Sequence, residues 1–155
     1  MKKCMIFVGA NGSGKTTLAS QIGVYQSHMN PDDWGLEHFG LNRNTQEVAI
    51  ATTKIIEGWL DAGVDFSFET VASSEQKIDL IARIALADYF VTVHYCQLAN
   101  DKDSIDGVTR RVRNGGHDVP IEKLIHRYPK VLHNIKKIKD LANEFNVWQY
   151  GRELS

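Results

Sequence analysis

The sequence has too little cysteine to be held together by disulfides. Cys4 and Cys96 are its two thiols, and each sits inside an apolar, strand-like run, as small core residues do in a reducing compartment. No run of apolar residues is long enough to cross a bilayer. The opening stretch Met1 to Val8 stops at a glycine loop too soon for a secretory leader, so the expectation is a cytoplasmic chain with no membrane partner. Charge of one sign is missing as well. Eighteen Lys and Arg against nineteen Asp and Glu give a formal net charge of −1, which excludes a globally basic polynucleotide binder and makes nucleic acid an unfavoured partner. Internal repeats, low-complexity tracts and interdomain linkers are also absent. The 155 residues, 43% of them apolar, are therefore expected to form a single domain, 1–155, around one core.

What is present is more specific. Gly9, Ala10, Asn11, Gly12, Ser13, Gly14, Lys15 and Thr16 fit G-x-x-x-x-G-K-[ST] at every fixed position, with the β-prone run Met5 to Val8 before them and a helical pattern beginning near Thr17. The glycines let backbone N–H groups approach a polyanion at a helix N-terminus. Lys15 adds a point charge, and the Thr16 hydroxyl suits Mg²⁺, which prefers oxygen ligands and keeps several waters. The partners expected here are a nucleoside triphosphate, ATP or GTP, and Mg²⁺, held by Gly9 to Thr17 with Thr16 on the metal.

β-Prone runs near 4–8, 64–68, 89–96 and 146–150, with a weaker one at 24–29, alternate with helical patterns. That alternation predicts an α/β fold of the P-loop NTPase kind, a central parallel sheet flanked by helices. Asn44 with Glu47, and Ser73 with Gln76, are spaced as capping boxes at helix starts. Trp34, Trp59 and Trp148 are too far apart for a local stacking motif and are expected in the core or a pocket wall.

From about Asp103 the chain becomes basic and helical. Ile105, Val108 and Val112 form a narrow apolar stripe, leaving Arg110, Arg111 and Arg113 on the other sides. Gly115 and Gly116 end that helix, and Pro120 is expected at the N1 position of the next, which carries Arg127 and breaks at Tyr128–Pro129. Folded back as a hairpin, residues of about 103–127 make a helical lid whose guanidinium groups meet a transferred phosphoryl group. His117 has no cysteine or second histidine at a zinc-like spacing, and a loop-ordering hydrogen bond is the favoured role.

Open parallel sheets place ligands beyond the carboxyl ends of their strands, so acidic residues there are candidates for the acceptor side. Asn30-Pro31-Asp32-Asp33 follows the weak second strand, and Glu69-Thr70 ends the third. An aspartate in such a place can take the proton of an attacking hydroxyl, and a glutamate can hold the acceptor or a metal-bound water.

Taken in order, Gly9 to Thr16, Asn30-x-Asp32, Phe68-Glu69-Thr70, the block Arg111 to Pro120 and Arg127-Tyr128 resemble the zeta toxin family, in particular its short P-loop branch. The resemblance implies a kinase that uses ATP or GTP with Mg²⁺ to phosphorylate a sugar hydroxyl of a UDP-activated amino sugar, within a toxin–antitoxin pair, so that an antitoxin protein is an implied partner. It makes Lys15 and Thr16 the phosphate and metal contacts, Asp32 the general base, and Asn30, Glu69 and Thr70 acceptor contacts. Arg111 and Arg127 become the lid arginines, with Arg110 and Arg113 as nearby substitutes. The chain departs from the family pattern at Gly107 and His126, where arginines are common, and at Val71. Gly107 is expected to let its helix bend during closure. Two other readings share the loop: a kinase of nucleotides or 5′ polynucleotide ends, and a nucleotide-binding switch without transfer activity.

Overall fold

The computed structural model describes residues 1–98, 101–113, 119–149 and 151–154, with the side chains of Asp101, Ser104 and Arg111 outside that set. Strand β1 (Lys2–Gly9) lies between β3 (Phe66–Thr70) and β4 (Tyr89–Cys96) in a six-stranded sheet. The order is β2 (Ser27–Met29), β3, β1, β4, β5 (Glu144–Gln149) and β6 (Arg152–Glu153). All pairs are parallel except β5–β6. Every parallel connection runs through helix, as such sheets require.

Alternation along β1 divides the interior. Cys4, Ile6 and Val8 join the larger cluster with Ile56 and Leu60 of α3 (Thr45–Ala62), Ile78, Ile81 and Ile84 of α4 (Glu75–Leu86) and Ile138 of α6 (Ile121–Leu141). Phe7 joins a smaller cluster with Leu18 and Ala19 of α1 (Lys15–Ile22), with Met5 and Trp148 packed against it. Helices therefore cover both faces of the sheet, and the central strands carry long apolar runs because both of their faces are buried. Both cysteines are free and buried. Burial raises both thiols, that of Cys96 to about 11 with Lys15 pulling the other way.

Local expectations fare unevenly. Asn44 caps α3, its side chain accepting from the amides of Gln46 and Glu47, and Gly63 closes the helix in the left-handed conformation at φ 70°. The second cap falls one residue later than the spacing suggests: Ser74, not Ser73, precedes α4, and its side chain makes no capping bond. Pro120 is the N-cap of α6 rather than its first residue, with its carbonyl accepting from Lys123 and Leu124.

A larger correction concerns Pro129, which lies inside one continuous helix rather than between two. Leu124, Val131, Asn134 and Ile138 are buried along the length of α6, and that burial outweighs the lost hydrogen bond. Pro129 and Ile125, whose carbonyl is freed, belong to exposed residues that water can reach. The third strand is 66–70 rather than 64–68, because Asp65 is used outside the strand, accepting from the Lys3 amide at 2.8 Å. The weak strand shortens to 27–29 and the last parallel one shifts to 144–149. Helix α2 (Pro31–Phe39) and strand β6 have no counterpart in the sequence reading. Among the described residues no helix is long and apolar enough to cross a membrane.

Candidate active site

The phosphate loop turns from the carboxyl end of β1 into α1. Gly14 caps that helix with φ 92°, a conformation that side chains with a Cβ rarely adopt. The Lys15 Nζ donates to the carbonyls of Gly9 at 2.8 Å and Ala10 at 3.1 Å. Ser13 Oγ is the buried side-chain oxygen without a hydrogen-bond partner among the described residues. It borders a cavity of about 230 Å³ together with Gly12, Gly14, Thr17, Arg110 and Trp148. An unpaired buried hydroxyl beside a helix N-terminus is a feature a phosphate group could satisfy.

Thr16 Oγ1 donates to Glu69 Oε1 at 2.7 Å, although the two are 53 positions apart. β1 pairs directly with β3, placing Val8 opposite Thr70, so both strands end at one edge. Glu69 and Thr70 are each 5% exposed, and lie within the strand rather than beyond it. Thr70 Oγ1 accepts from the Ala72 amide at 3.0 Å, which fixes the turn where Ala72 takes a left-handed φ of 56°.

Asn30 sorts the two aspartates. Its Oδ1 accepts from the amides of Asp32 and Asp33, capping α2, while its Nδ2 donates to Asp33 Oδ2 at 3.0 Å and approaches Thr16 Oγ1 at 3.4 Å. Asp33 is thereby tied into the cap. Asp32 instead lines a cleft of about 210 Å³ that also contains Lys15, Glu69, Thr70, Lys77 and Arg127. A second cleft, of about 150 Å³, shares Asp32 and Arg127 and adds Asn11, Arg43, Thr45 and Lys123. Burial lowers the Arg127 pKa and the charge of Asp32 counters it. Arg127 Nη1 also donates to Asn11 Oδ1 at 3.2 Å, joining α6 to the phosphate loop.

The other lid helix, α5 (Asp101–Arg113), packs on α6. Its Val108 is buried, but Val112 is 40% exposed, so the apolar stripe is shorter than its spacing suggests. Arg110 lines the cavity beside the loop with Trp148, not the Asp32 cleft, and Arg113 is exposed and borders none of these three spaces. The Arg111 side chain and Asn114 to Asp118, His117 included, lie outside the described residues. Gly107 meets the loop directly: a Cβ there would collide with the carbonyl oxygen of Gly12. Close approach is thus a reason for that glycine which a hinge reading misses.

Among the described residues no cluster of three or more His, Cys, Asp or Glu could hold a metal by itself. The donor set Thr16 and Glu69 is all oxygen and small. It fits Mg²⁺, which is commonly held by one or two protein oxygens together with substrate phosphates and water. Arg43, Lys77 and Lys123 were not legible as site residues, since each reaches the site only through tertiary packing, whereas Trp148 takes the pocket-wall place expected of it.

No family model and no curated protein matches the sequence. Solved structures match the fold. A chain of the AvrRxo1-ORF1:-ORF2 complex with ATP superposes with a TM-score of 0.70 at 16% identity, over 95% of this chain and 54% of that one. A chain from the Pnkp1/Rnl/Hen1 RNA repair complex gives 0.68 at 18% identity, over 99% and 50%. One from the PezAT chromosomal toxin–antitoxin system of Streptococcus pneumoniae gives 0.66 at 13%, over 99% and 71%. This chain spans about half the length of the first two. It shares with them an α/β fold, a central and mostly parallel sheet flanked by helices.

Proposed function

We propose that the protein is an ATP- or GTP-dependent, Mg²⁺-requiring kinase that phosphorylates a sugar hydroxyl of a UDP-activated amino sugar. The observation that carries the kinase reading is the meeting of Lys15, Asp32, Glu69 and Arg127 around one cleft at the mouth of the phosphate loop. Kinases need a nucleotide cradle, a base for the acceptor and cationic groups near the moving phosphoryl, and little else.

In this mechanism the amides of the phosphate loop hold the nucleotide, and Arg110 and Trp148 border the cavity beside it. Asp32 takes the proton of the acceptor hydroxyl as its oxygen forms a bond to the γ-phosphorus. The bond from that phosphorus to the bridging oxygen breaks, leaving a nucleoside diphosphate. Lys15 and Arg127 stabilise charge on the phosphoryl oxygens, with Arg111 proposed as a second guanidinium from the lid. Bound Mg²⁺ would neutralise phosphate charge, and Thr16 with Glu69 is the pair of side chains suited to hold it. Asn30 keeps Asp32 at the start of α2.

The acceptor assignment rests on the ordered motifs that resemble the zeta toxins. Arg43 and Lys123 beside the Asp32 cleft add cations suited to an acceptor that carries phosphates of its own. Fold similarity to a chain of a toxin–antitoxin system supports an antitoxin protein as partner, and the reducing-type cysteines support the cytoplasm. A 5′-hydroxyl polynucleotide end also carries phosphates elsewhere in the molecule, so one experiment must separate the two acceptors. The protein is incubated with γ-labelled ATP, Mg²⁺ and separate pools of UDP-sugars, mononucleotides and oligonucleotides. Label in the UDP-amino-sugar pool supports the assignment, and label confined to oligonucleotides replaces it with the 5′-end kinase.

A further inference from the structure

Ser67, in the middle of β3, is fully buried, and its hydroxyl has two partners. Its Oγ accepts from the Tyr25 amide at 3.2 Å and lies 2.8 Å from Nδ1 of His28 in β2. An amide N–H can only donate, so of these two contacts His28 Nδ1 is the one able to accept the hydroxyl hydrogen. Leaving that hydrogen unpaired in the interior would cost about 1–3 kcal/mol. The arrangement therefore selects the imidazole with its single hydrogen on Nε2. Phe7 meets the same ring edge to face, with centroids 6.4 Å apart, which limits its rotation.

His28 Nε2 faces Glu69 Oε2 at 3.6 Å, while Glu69 Oε1 accepts from Thr16. The last torsion of a glutamate is broad, so one hydrogen bond to Thr16 would leave the carboxylate free to swing. An N–H polarised toward the second oxygen restricts that swing. At this separation the contact is electrostatic rather than a hydrogen bond.

We propose that Ser67 and His28 are a positioning pair: Ser67 holds His28 in its Nε2–H form, and His28 orients Glu69 so that Glu69 and Thr16 present a fixed pair of oxygens to the cation accompanying the nucleotide. The proposal rests on the metal-side reading of Thr16 and Glu69. It accounts for a buried serine and a half-buried histidine behind a buried carboxylate, neither of the two lining the acceptor cleft that Glu69 borders. Sequence spacing conceals the arrangement, because His28, Ser67 and Thr16 come from three separate elements.

Two measurements test it without an acceptor. Long-range ¹H–¹⁵N correlation spectra should show His28 as the Nε2–H tautomer, and an Nδ1–H tautomer overturns the proposal. Electron paramagnetic resonance with Mn²⁺ and a non-hydrolysable ATP analogue reads cation affinity. His28→Leu should weaken Mn²⁺ binding by about fivefold to tenfold, the scale of about 1 kcal/mol for one polar contact. His28→Gln places an amide N–H near the Nε2 position and should recover most of the loss. Equal affinity in wild type and His28→Leu overturns the proposal. So does a His28→Gln variant as weak as His28→Leu, which would leave the ring a space-filling role, and so does absence of Mn²⁺–nucleotide binding in the wild type. If the affinities behave as expected while no acceptor is phosphorylated, the positioning pair stands and the kinase reading fails.

Discussion

Gly107 of the lid helix lies against Gly12 of the phosphate loop so closely that a β-carbon on it would sit 2.9 Å from both the Gly12 carbonyl carbon and its Cα. Backbone meets backbone at this point, which brings α5 over the loop as no side chain could. The resemblance to kinases with an arginine here suggests that adding one would enrich a charge-poor lid. Packing reverses that sign. Gly107→Ala should displace α5 at a cost of about 1–3 kcal/mol, and Gly107→Arg should do at least as much. Transfer rates in both should fall by roughly fivefold to a hundredfold, at about 1.4 kcal/mol per factor of ten, with thermal unfolding of the sheet little changed. A faster Gly107→Arg enzyme would show that the close approach is not used.

Arg127 bonds to Asn11 and faces Asp32, so it connects the lid, the loop and the proposed base. Lysine in its place keeps the charge and loses the planar fork. Arg127→Lys should lower kcat more than it raises KM for ATP if the guanidinium acts on charge that develops during transfer. Steady-state kinetics with saturating acceptor decide this. An effect confined to KM would mean that Arg127 clamps the bound nucleotide instead.

His94 gives the fold a pH dependence. Its Nδ1 accepts from the Trp148 indole N–H at 3.1 Å, and its ring stacks on Phe7. Burial holds its pKa below the usual 6.5, while Glu144 and Glu153 pull the other way. Well above pH 6.5 the ring is neutral in both folded and unfolded chains. Below it the unfolded chain binds a proton that the folded chain resists, so stability falls with pH until the folded pKa is passed. His94→Asn keeps an acceptor near the Nδ1 position and removes the titration. The difference in melting temperature between about pH 7.5 and about pH 5, across the range where histidine titrates, should therefore shrink in the variant. An unchanged difference would assign the pH dependence to other groups.

What could be read ahead of the structure follows a physical division. The turn from β1 into α1 was legible because its geometry requires glycines at particular adjacent positions. The central strands were legible because burial on both faces forces apolar runs. Helix α2 was not, since Gly35 is its one buried residue and it has no apolar stripe, although Asn30, Pro31 and the two aspartates are start signals. Pro129 misled because packing along the whole of α6 outweighs a local propensity. Pairings such as Thr16 with Glu69 depend on strand order, which spacing along the chain does not encode. The distinction between Asp32 and Asp33 became concrete only when Asn30 was seen to engage Asp33.

That distinction leads to the most direct test of the account. Single-turnover transfer from labelled ATP to the acceptor is measured for wild type, Asp32→Asn and Asp33→Asn, alongside calorimetric titration of ATP. Asp32→Asn should slow transfer by about a hundredfold or more, as loss of a general base does, with ATP affinity nearly unchanged and Asp33→Asn close to wild type. Wild-type transfer rates in Asp32→Asn, or a wild-type protein that binds ATP and phosphorylates no acceptor in any pool, would contradict it.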